Sequence, residues 1–387
     1  MGPNVRCLAT YPQQGGASPT IAPIMDPHRT HEASTGLRRG WGVLGLAGLA
    51  GLVLAVCSGA TPHHTSSSST TTSTSMTTAT TAAPAVATCP LTGTPVPGGG
   101  PVPQRPALAV KIDNYPDARP QSGMDKADVV FEEPVEGGIT RYAAVFQCQD
   151  APLVGPVRSA RNIDIGILGQ LGTPILVHVG GIDPVLANIA ASPLINVDLG
   201  NYGSLETHPS GRVAPYDTYS TTAQLWATHP TVTTPPQPLF TYSSKAPSGT
   251  PVSSVNIDFS GTSDVTWKYS AATSDFLRYY NSTTPDMLAD GVQNSAANVI
   301  VQYVQITYGP WLENSEGGLE VQANLYSDAS GVADVFRDGT EITGTWSRSA
   351  LGSPTQFLSA SGAKIPLQPG QTWVELVPNT ITAATTP

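Results

Sequence analysis

The sequence predicts an α+β protein, with an N-terminal mixed α/β domain followed by a mainly antiparallel β C-terminal domain. Three observations predict it. Between residues 105 and 200, short β-branched runs alternate with segments of helical spacing, the mark of a layered strand and helix arrangement. Beyond a Pro-rich stretch from His229 to Pro251, apolar residues recur at every second position in successive runs divided by Gly or Asp turns. Only 12% of residues are charged, and Gly 38 and Pro 36 give the turn-rich composition of an extracytoplasmic β-containing chain. No fixed-period repeat is present, which disfavours a propeller or solenoid.

Residues 1–60 read as an export segment. Met25 is an alternative start for a signal with a positive region ending in Arg38 and Arg39, an apolar run from Trp41 to Val56, and then Cys57. That run is short for a spanning helix, which needs about 20 apolar residues. Leu54-Ala55-Val56-Cys57 resembles a lipobox, in which the cysteine becomes the lipidated first residue, although Val56 stands where that box has a small residue. The expectation is an extracytoplasmic protein tied to the membrane by a lipid anchor on Cys57. Secretion after cleavage at Ser58-Gly59-Ala60 and an uncleaved anchor are the alternatives. Residues 61–104 are a Ser/Thr/Pro-rich tether too poor in apolar side chains to order itself.

The formal net charge is -10, and beyond Cys57 it is -12, from 14 basic and 26 acidic residues. This argues against nucleic acid as a partner, because such affinity comes largely from Lys and Arg. Past Cys57 only Cys89 and Cys148 remain to pair. A disulfide between them would contribute roughly 2 to 4 kcal/mol, and two free thiols are the alternative.

In the N-terminal domain, residues 105–235, ALAVKIDN, ADVVFEE and ITRYAAVFQC read as strands. VRSARNIDIGILGQLG has helical spacing, TPILVHVGG is a buried strand, and DPVLANIAA opens with an Asp cap and a Pro suited to a helix start. In the C-terminal domain, residues 250–378, VSSVNIDFS, VTWKYS, NVIVQYVQITYG, LEVQANLYS, GVADVFRDG, EITGTWSRS, TQFLSASG and QTWVELVP read as strands.

Five of the nine arginines after Cys57 fall between 105 and 161: Arg105, Arg119, Arg141, Arg158 and Arg161. Placed at a predicted helix start, Arg158, Ser159 and Arg161 would offer guanidiniums beside free N–H groups to a phosphate or carboxylate. Ion pairing with Asp125, Asp128, Glu132, Glu133 and Glu136 is the competing use. Glu133 and Glu136 could divide acid and base roles on a glycan, with Asp113 as a third carboxylate. Asp113, Asn114 and Asp117 form an oxygen-rich turn that Asx-turn chemistry explains without a metal, and no metal site is assigned. His178 lies in an apolar run, where a satisfied core role competes with a ligand contact. HExxH, GxSxG, P-loop and GxGxxG motifs are absent, and no cofactor is expected.

PLTG, RPALAVKIDN, ARPQSG, ADVVFEEPVEGGITRYAAVF and GPVRSAR, with the later NVIVQ, GTW and LQPGQTWVELVP, together resemble the YerB-like lipoprotein family of bacteria. The resemblance runs from about Pro90 to Pro378. It implies an N-terminal domain joined to a smaller β-rich domain on an exported or lipid-anchored protein, and no established activity. Similar sequences tend to read Ala-Pro-His-Asn-x-Tyr where this chain has Ala214-Pro215-Tyr216-Asp217-Thr218-Tyr219, so a histidine-dependent mechanism there would not carry over.

The leading expectation is binding of a cell-envelope component, a glycan or anionic polymer. Arg119, Arg141, Arg158 and Arg161 would contact the anion, and Asp113, Asn114, Gln121 and Glu136 would orient hydroxyls or amides. An envelope hydrolase or transferase using the paired carboxylates and a structural partner-binding scaffold are the rivals. Convergent Arg and carboxylate tips in a pocket would favour the first two, and arginines consumed in internal pairs the scaffold.

Overall fold

The structure, a computed structural model, describes residues 86–387; the export segment, Cys57 and residues 61–85 of the tether lie outside the described residues, whereas residues 86–104 are not the unordered tether expected, because Leu91 and Val96 are buried and Thr88 bridges to Pro95. No helix among the described residues is long and apolar enough to cross a membrane.

The N-terminal region supplies β1 (Leu108–Asp113), β2 (Val129–Pro134) and β3 (Thr140–Phe146), with β3 antiparallel to both neighbours. β4 (Ile175–His178) runs parallel to β1, and β5 (Ile195–Asp198) parallel to β4. Three short helices follow the expected apolar spacing only in part: α1 (Ile163–Leu168), α2 (Asp183–Ala191) and α3 (Thr222–Trp226). Asp183 and Pro184 do open α2, with Ile182 in the cap position.

The segment from Val157 is not the helix that its spacing predicts. It forms no helix before the turn at Asn162, because its backbone is bonded on both sides: Arg158 N donates to Lys111 O at 2.9 Å, and Val179 N donates to Arg158 O at 3.1 Å. Pairing with strand neighbours has overridden local helical spacing.

The C-terminal region carries β6 (Thr250–Pro251), β7 (Ser254–Ser260), β8 (Ser263–Ser270), β9 (Asp275–Tyr280), β10 (Thr284–Pro285), β11 (Ser295–Ala296), β12 (Asn298–Val304), β13 (Ile306–Leu312), β14 (Leu319–Ala323), β15 (Ala329–Arg337), β16 (Thr340–Arg348), β17 (Gln356–Ser359), β18 (Thr372–Pro378) and β19 (Ala384–Thr386). Strands of both regions join in one 11-stranded sheet, ordered β17-β16-β15-β12-β18-β2-β3-β1-β4-β5, with β6 beside β16. The seam is β18, parallel to β12 on one side and to β2 on the other. A second, six-stranded sheet is antiparallel, and among the described residues β13 and β14 pair only with each other. The protein is therefore mainly β, with a mixed sheet in its N-terminal part and largely antiparallel pairing in its C-terminal part.

Burial on both faces of the large sheet explains its apolar runs. Val110, Ile112, Val130 and Trp373 pack against Val255, Ile257, Val265 and Trp267 of the second sheet. Ala109, Val129, Ala143 and Val374 pack on the other face with Ile163, Ile167, Val185 and Ile189 of α1 and α2. Cys89 and Cys148 form a disulfide, Cα atoms 5.9 Å apart, that ties the chain before β1 to the end of β3.

Candidate functional site

Side chains alternate along a strand, so polar residues at the adjoining ends of β1, β2 and β3 divide between the two faces of the sheet. On the helix side, Asp113 stands opposite Arg141, and Arg141 opposite Glu133. Lys111 pairs with Glu133 and, at 2.7 Å, with Asp164 of α1, all three fully buried. Burial, reinforced by the Asp164 carboxylate, pushes the Glu133 pKa up to about 7.

Glu136 follows β2 in a turn where Gly137 and Gly138 adopt φ of 79° and 73°, a conformation that glycine takes without steric cost. Its carboxylate accepts Arg161 Nε at 3.0 Å and Nη2 at 2.5 Å, and lies 3.4 Å from Arg141 Nη2. Burial opposes its ionisation, but the two arginines outweigh burial and hold Glu136 below the usual carboxylate range. Glu313, from the β13–β14 hairpin, sits 3.4 Å from Arg161. Arg158 Nε is 2.7 Å from Asp113 Oδ2, close but not aligned as a hydrogen bond.

Several members of this network keep a buried polar atom without a hydrogen-bond partner, among them Glu133 Oε2, Arg158 Nε, Asp164 Oδ1 and Glu313 Oε1, and Arg141 keeps two. Arg141 is 4% exposed, yet its Nε and Nη1 have no hydrogen-bond partner. Burial, and after it the charge of Arg161, lower its pKa.

The opposite face holds a second cluster. Arg278 of β9 bridges Glu132 at 2.7 Å and Asp286 at 2.6 Å, and Trp267 Nε1 donates to Glu375 at 2.8 Å. Asn114 donates to Thr140 at 2.7 Å, Arg119 lies 3.6 Å over the Tyr280 ring and donates to Asn114 O at 2.8 Å, and Gln121 donates to Asp113 O at 3.0 Å.

The expected site residues thus fall into two groups. Asp113, Glu136, Arg141, Arg158 and Arg161 meet on the helix face; Asn114, Arg119 and Gln121 serve the opposite cluster. The helix-start anion site is corrected: Arg158 and half-buried Ser159 lie in the non-helical segment, and α1 begins only at Ile163. His178 has both ring nitrogens engaged, Nδ1 with Gly180 O at 2.9 Å and Nε2 with Asn196 Oδ1 at 2.6 Å. Among the described residues, no group of three or more His, Cys, Asp or Glu is placed to hold a metal. Sequence reasoning missed Lys111, Asp164 and Glu313. A lone Lys inside ALAVKIDN was a signal for a buried pair, whereas nothing local marks Glu313.

Near the Asp113–Arg158 pair lie Tyr115 and Tyr216, with parallel rings and centroids 6.0 Å apart.

A mainly β protein whose two regions share one mixed sheet, with charged clusters closed into each face, is the class this architecture defines. Residues 91–234 match the N-terminal domain, and residues 255–374 the C-terminal domain, of the family described as protein of unknown function DUF3048. The chain belongs to this family. It is 27% identical over 286 residues to the Bacillus subtilis (strain 168) protein named "Putative lipoprotein YerB", covering 72% of this chain and 83% of that relative. The crystal structure of YerB from Bacillus subtilis shares the fold, with a TM-score of 0.66 and 23% identity over 77% of this chain and 99% of that one. The resemblance read from the motifs is thereby established.

Proposed function

We propose that this is an extracytoplasmic protein, lipid-anchored through Cys57, whose helix-face cluster binds an anionic or hydroxyl-rich component of the cell envelope. The observation that carries this reading is Arg141, a buried guanidinium with two unfilled donors between Arg158 and Arg161. Such a group is costly to bury unless an acceptor completes it, and a ligand carboxylate, phosphate or hydroxyl would supply one. Arg161, Glu136 and Glu313 are committed to one another and hold the cluster in shape; Arg158, with 25% of its side chain exposed, connects it to solvent. The carboxylate chemistry of a hydrolase is less well supported, because Glu136 is fixed as an ion pair and Glu133 is sealed beside Lys111.

The lipid anchor is supported by the name that the Bacillus relative carries and by the lipobox-like residues before Cys57. The Cys89–Cys148 disulfide agrees with an oxidising compartment.

The test is co-sedimentation of the full chain with purified cell wall. Wild type is expected to pellet with the wall and Arg141→Met to remain in solution while keeping its thermal transition. Equal pelleting by a folded Arg141→Met variant would remove the cluster as the binding site.

A further inference from the structure

The Tyr115 and Tyr216 rings lie within 5° of parallel, and Tyr115 keeps 41% of its surface exposed. A tyrosine so placed presents a rigid, flat, amphipathic face at little cost in side-chain entropy. The backbone that carries each ring is tied within its own loop. Tyr115 N donates to Asp113 Oδ1 at 3.0 Å, and Tyr216 N donates to Val213 O at 2.9 Å. Arg212 binds the loops together: its guanidinium donates to Ala118 O at 3.1 Å and also to Pro120 O. The platform is therefore preorganised rather than assembled on contact, which lowers the cost of binding.

Charge is supplied at the same place. The Arg158 guanidinium lies 5.9 Å from the Tyr216 ring centroid. Its Nε faces Asp113, which engages Tyr115 N through its other oxygen, and among the described residues its Nη groups make no hydrogen bond to protein. Asp113 thus acts as the positioning residue for both the arginine and the Tyr115 backbone. The result is an aromatic face beside a solvent-facing fork of two N–H groups.

We propose that Tyr115, Tyr216 and Arg158 form a saccharide subsite that takes a pyranose ring bearing a carboxylate. The apolar C–H face of the sugar stacks on the tyrosine face, and the carboxylate accepts the Arg158 Nη hydrogens as a charge-assisted pair. A simple anion would use the arginine without the rings, and a neutral sugar the rings without the arginine; their adjacency selects a ligand with both features. This rests on the envelope-binding reading and narrows its ligand class.

The experiment uses the full chain and two probes, a hexuronate tetrasaccharide and the same oligosaccharide with its carboxyl groups reduced to alcohols, with binding followed by calorimetry. Wild type is expected to bind the acidic probe about tenfold more tightly than the reduced one, the equivalent of ~1.4 kcal/mol. Tyr115→Ala and Tyr216→Ala should each weaken both probes by about tenfold, Tyr216→Phe should bind like wild type, and Arg158→Ala should abolish the preference for the acid. Alanine variants that bind like wild type, or equal affinity for the two probes, would overturn the proposal, as would wild type that binds neither. Wall sedimentation of the same tyrosine variants separates the two ideas: wall binding that survives in them, yet is lost in Arg141→Met, leaves the Arg141 site standing without a saccharide platform.

Discussion

The two charged clusters lie back to back on one sheet, a residue apart in sequence, and they are built to different standards of closure. Glu132 and Glu133 are consecutive on β2, and the alternation of the strand sends one to each face. On the second-sheet side, Arg278 is fully buried, with carboxylates at 2.7 and 2.6 Å and the rings of Tyr142, Tyr280 and Trp373 within 5.4 Å of its guanidinium carbon. Burial opposes its charge, but Glu132 and the surrounding groups outweigh burial and raise its pKa well above the ordinary value. On the helix side, Arg141 is nearly as buried but its pKa is lowered, and two of its nitrogens lack a hydrogen-bond partner, against one, Nε, in Arg278. The first cluster is a strut between sheets. The second is an ion-pair cluster that continues outward to the part-exposed Arg158.

The largest effect expected from this contrast comes from breaking the strut. Arg278→Ala leaves Glu132 and Asp286 buried without a counter-charge, and removal of one partner from such a group costs about 3 to 5 kcal/mol. Urea denaturation at neutral pH measures it. A loss under about 1 kcal/mol would mean that water replaces the guanidinium and that this cluster is no more closed than the other.

Arg278 also marks what the sequence could and could not reveal. The period-two pattern of DFLRYY places Arg278 on the inward face with Phe276 and Tyr280, so a buried arginine was legible there. Arginine density alone points instead to residues 105–161. Most strands were legible for the same reason: half-buried alternation leaves a local trace. The joint between the two regions was not, because parallel pairing of β18 with both β12 and β2 depends on contacts more than 70 residues apart in sequence. The non-helical Val157–Arg161 segment carries helical spacing for a related reason: the hydrogen-bond partners that hold it, Lys111, Val179 and Gly180, lie in other parts of the chain. Asp113, Glu136, Arg141, Arg158 and Arg161 could be singled out by type and clustering. Their division from Asn114, Arg119 and Gln121 required the faces of the sheet.

Acidity separates the clusters with a smaller effect. Burial and Asp164 raise Glu133 to about 7, whereas an unfolded chain releases the same proton near 4.3. Between those values the native state holds a proton that the unfolded state lacks, so this group's stabilising contribution is fully present below about pH 4.5 and is lost as pH rises through 7. Glu136, lowered by its arginines, has the opposite sign, losing its contribution as pH falls. The informative quantity is therefore the difference between wild type and Glu133→Gln, measured by urea denaturation at pH 5, 6 and 7. Wild type should lose stability relative to the variant by roughly 1 kcal/mol per pH unit across this window. Parallel profiles would show that Lys111 keeps Glu133 ionised throughout.

The smallest effect, and the sharpest comparison, is expected from Arg141→Met. Glu136 retains both hydrogen bonds from Arg161, and Asp113 retains Arg158, so no carboxylate is orphaned as two are in Arg278→Ala. The substitution also removes a desolvated guanidinium with two unmet donors and substitutes a flexible apolar chain that can fill the space. Stability should change by less than about 1 kcal/mol in either direction, as at sites where a protein sustains unfavourable local chemistry for the sake of a ligand. Thermal and urea denaturation of the two arginine variants side by side is the measurement. If Arg141→Met were to cost as much as Arg278→Ala, the helix-face cluster would be a second strut, and its unfilled donors would be serving the fold rather than a ligand.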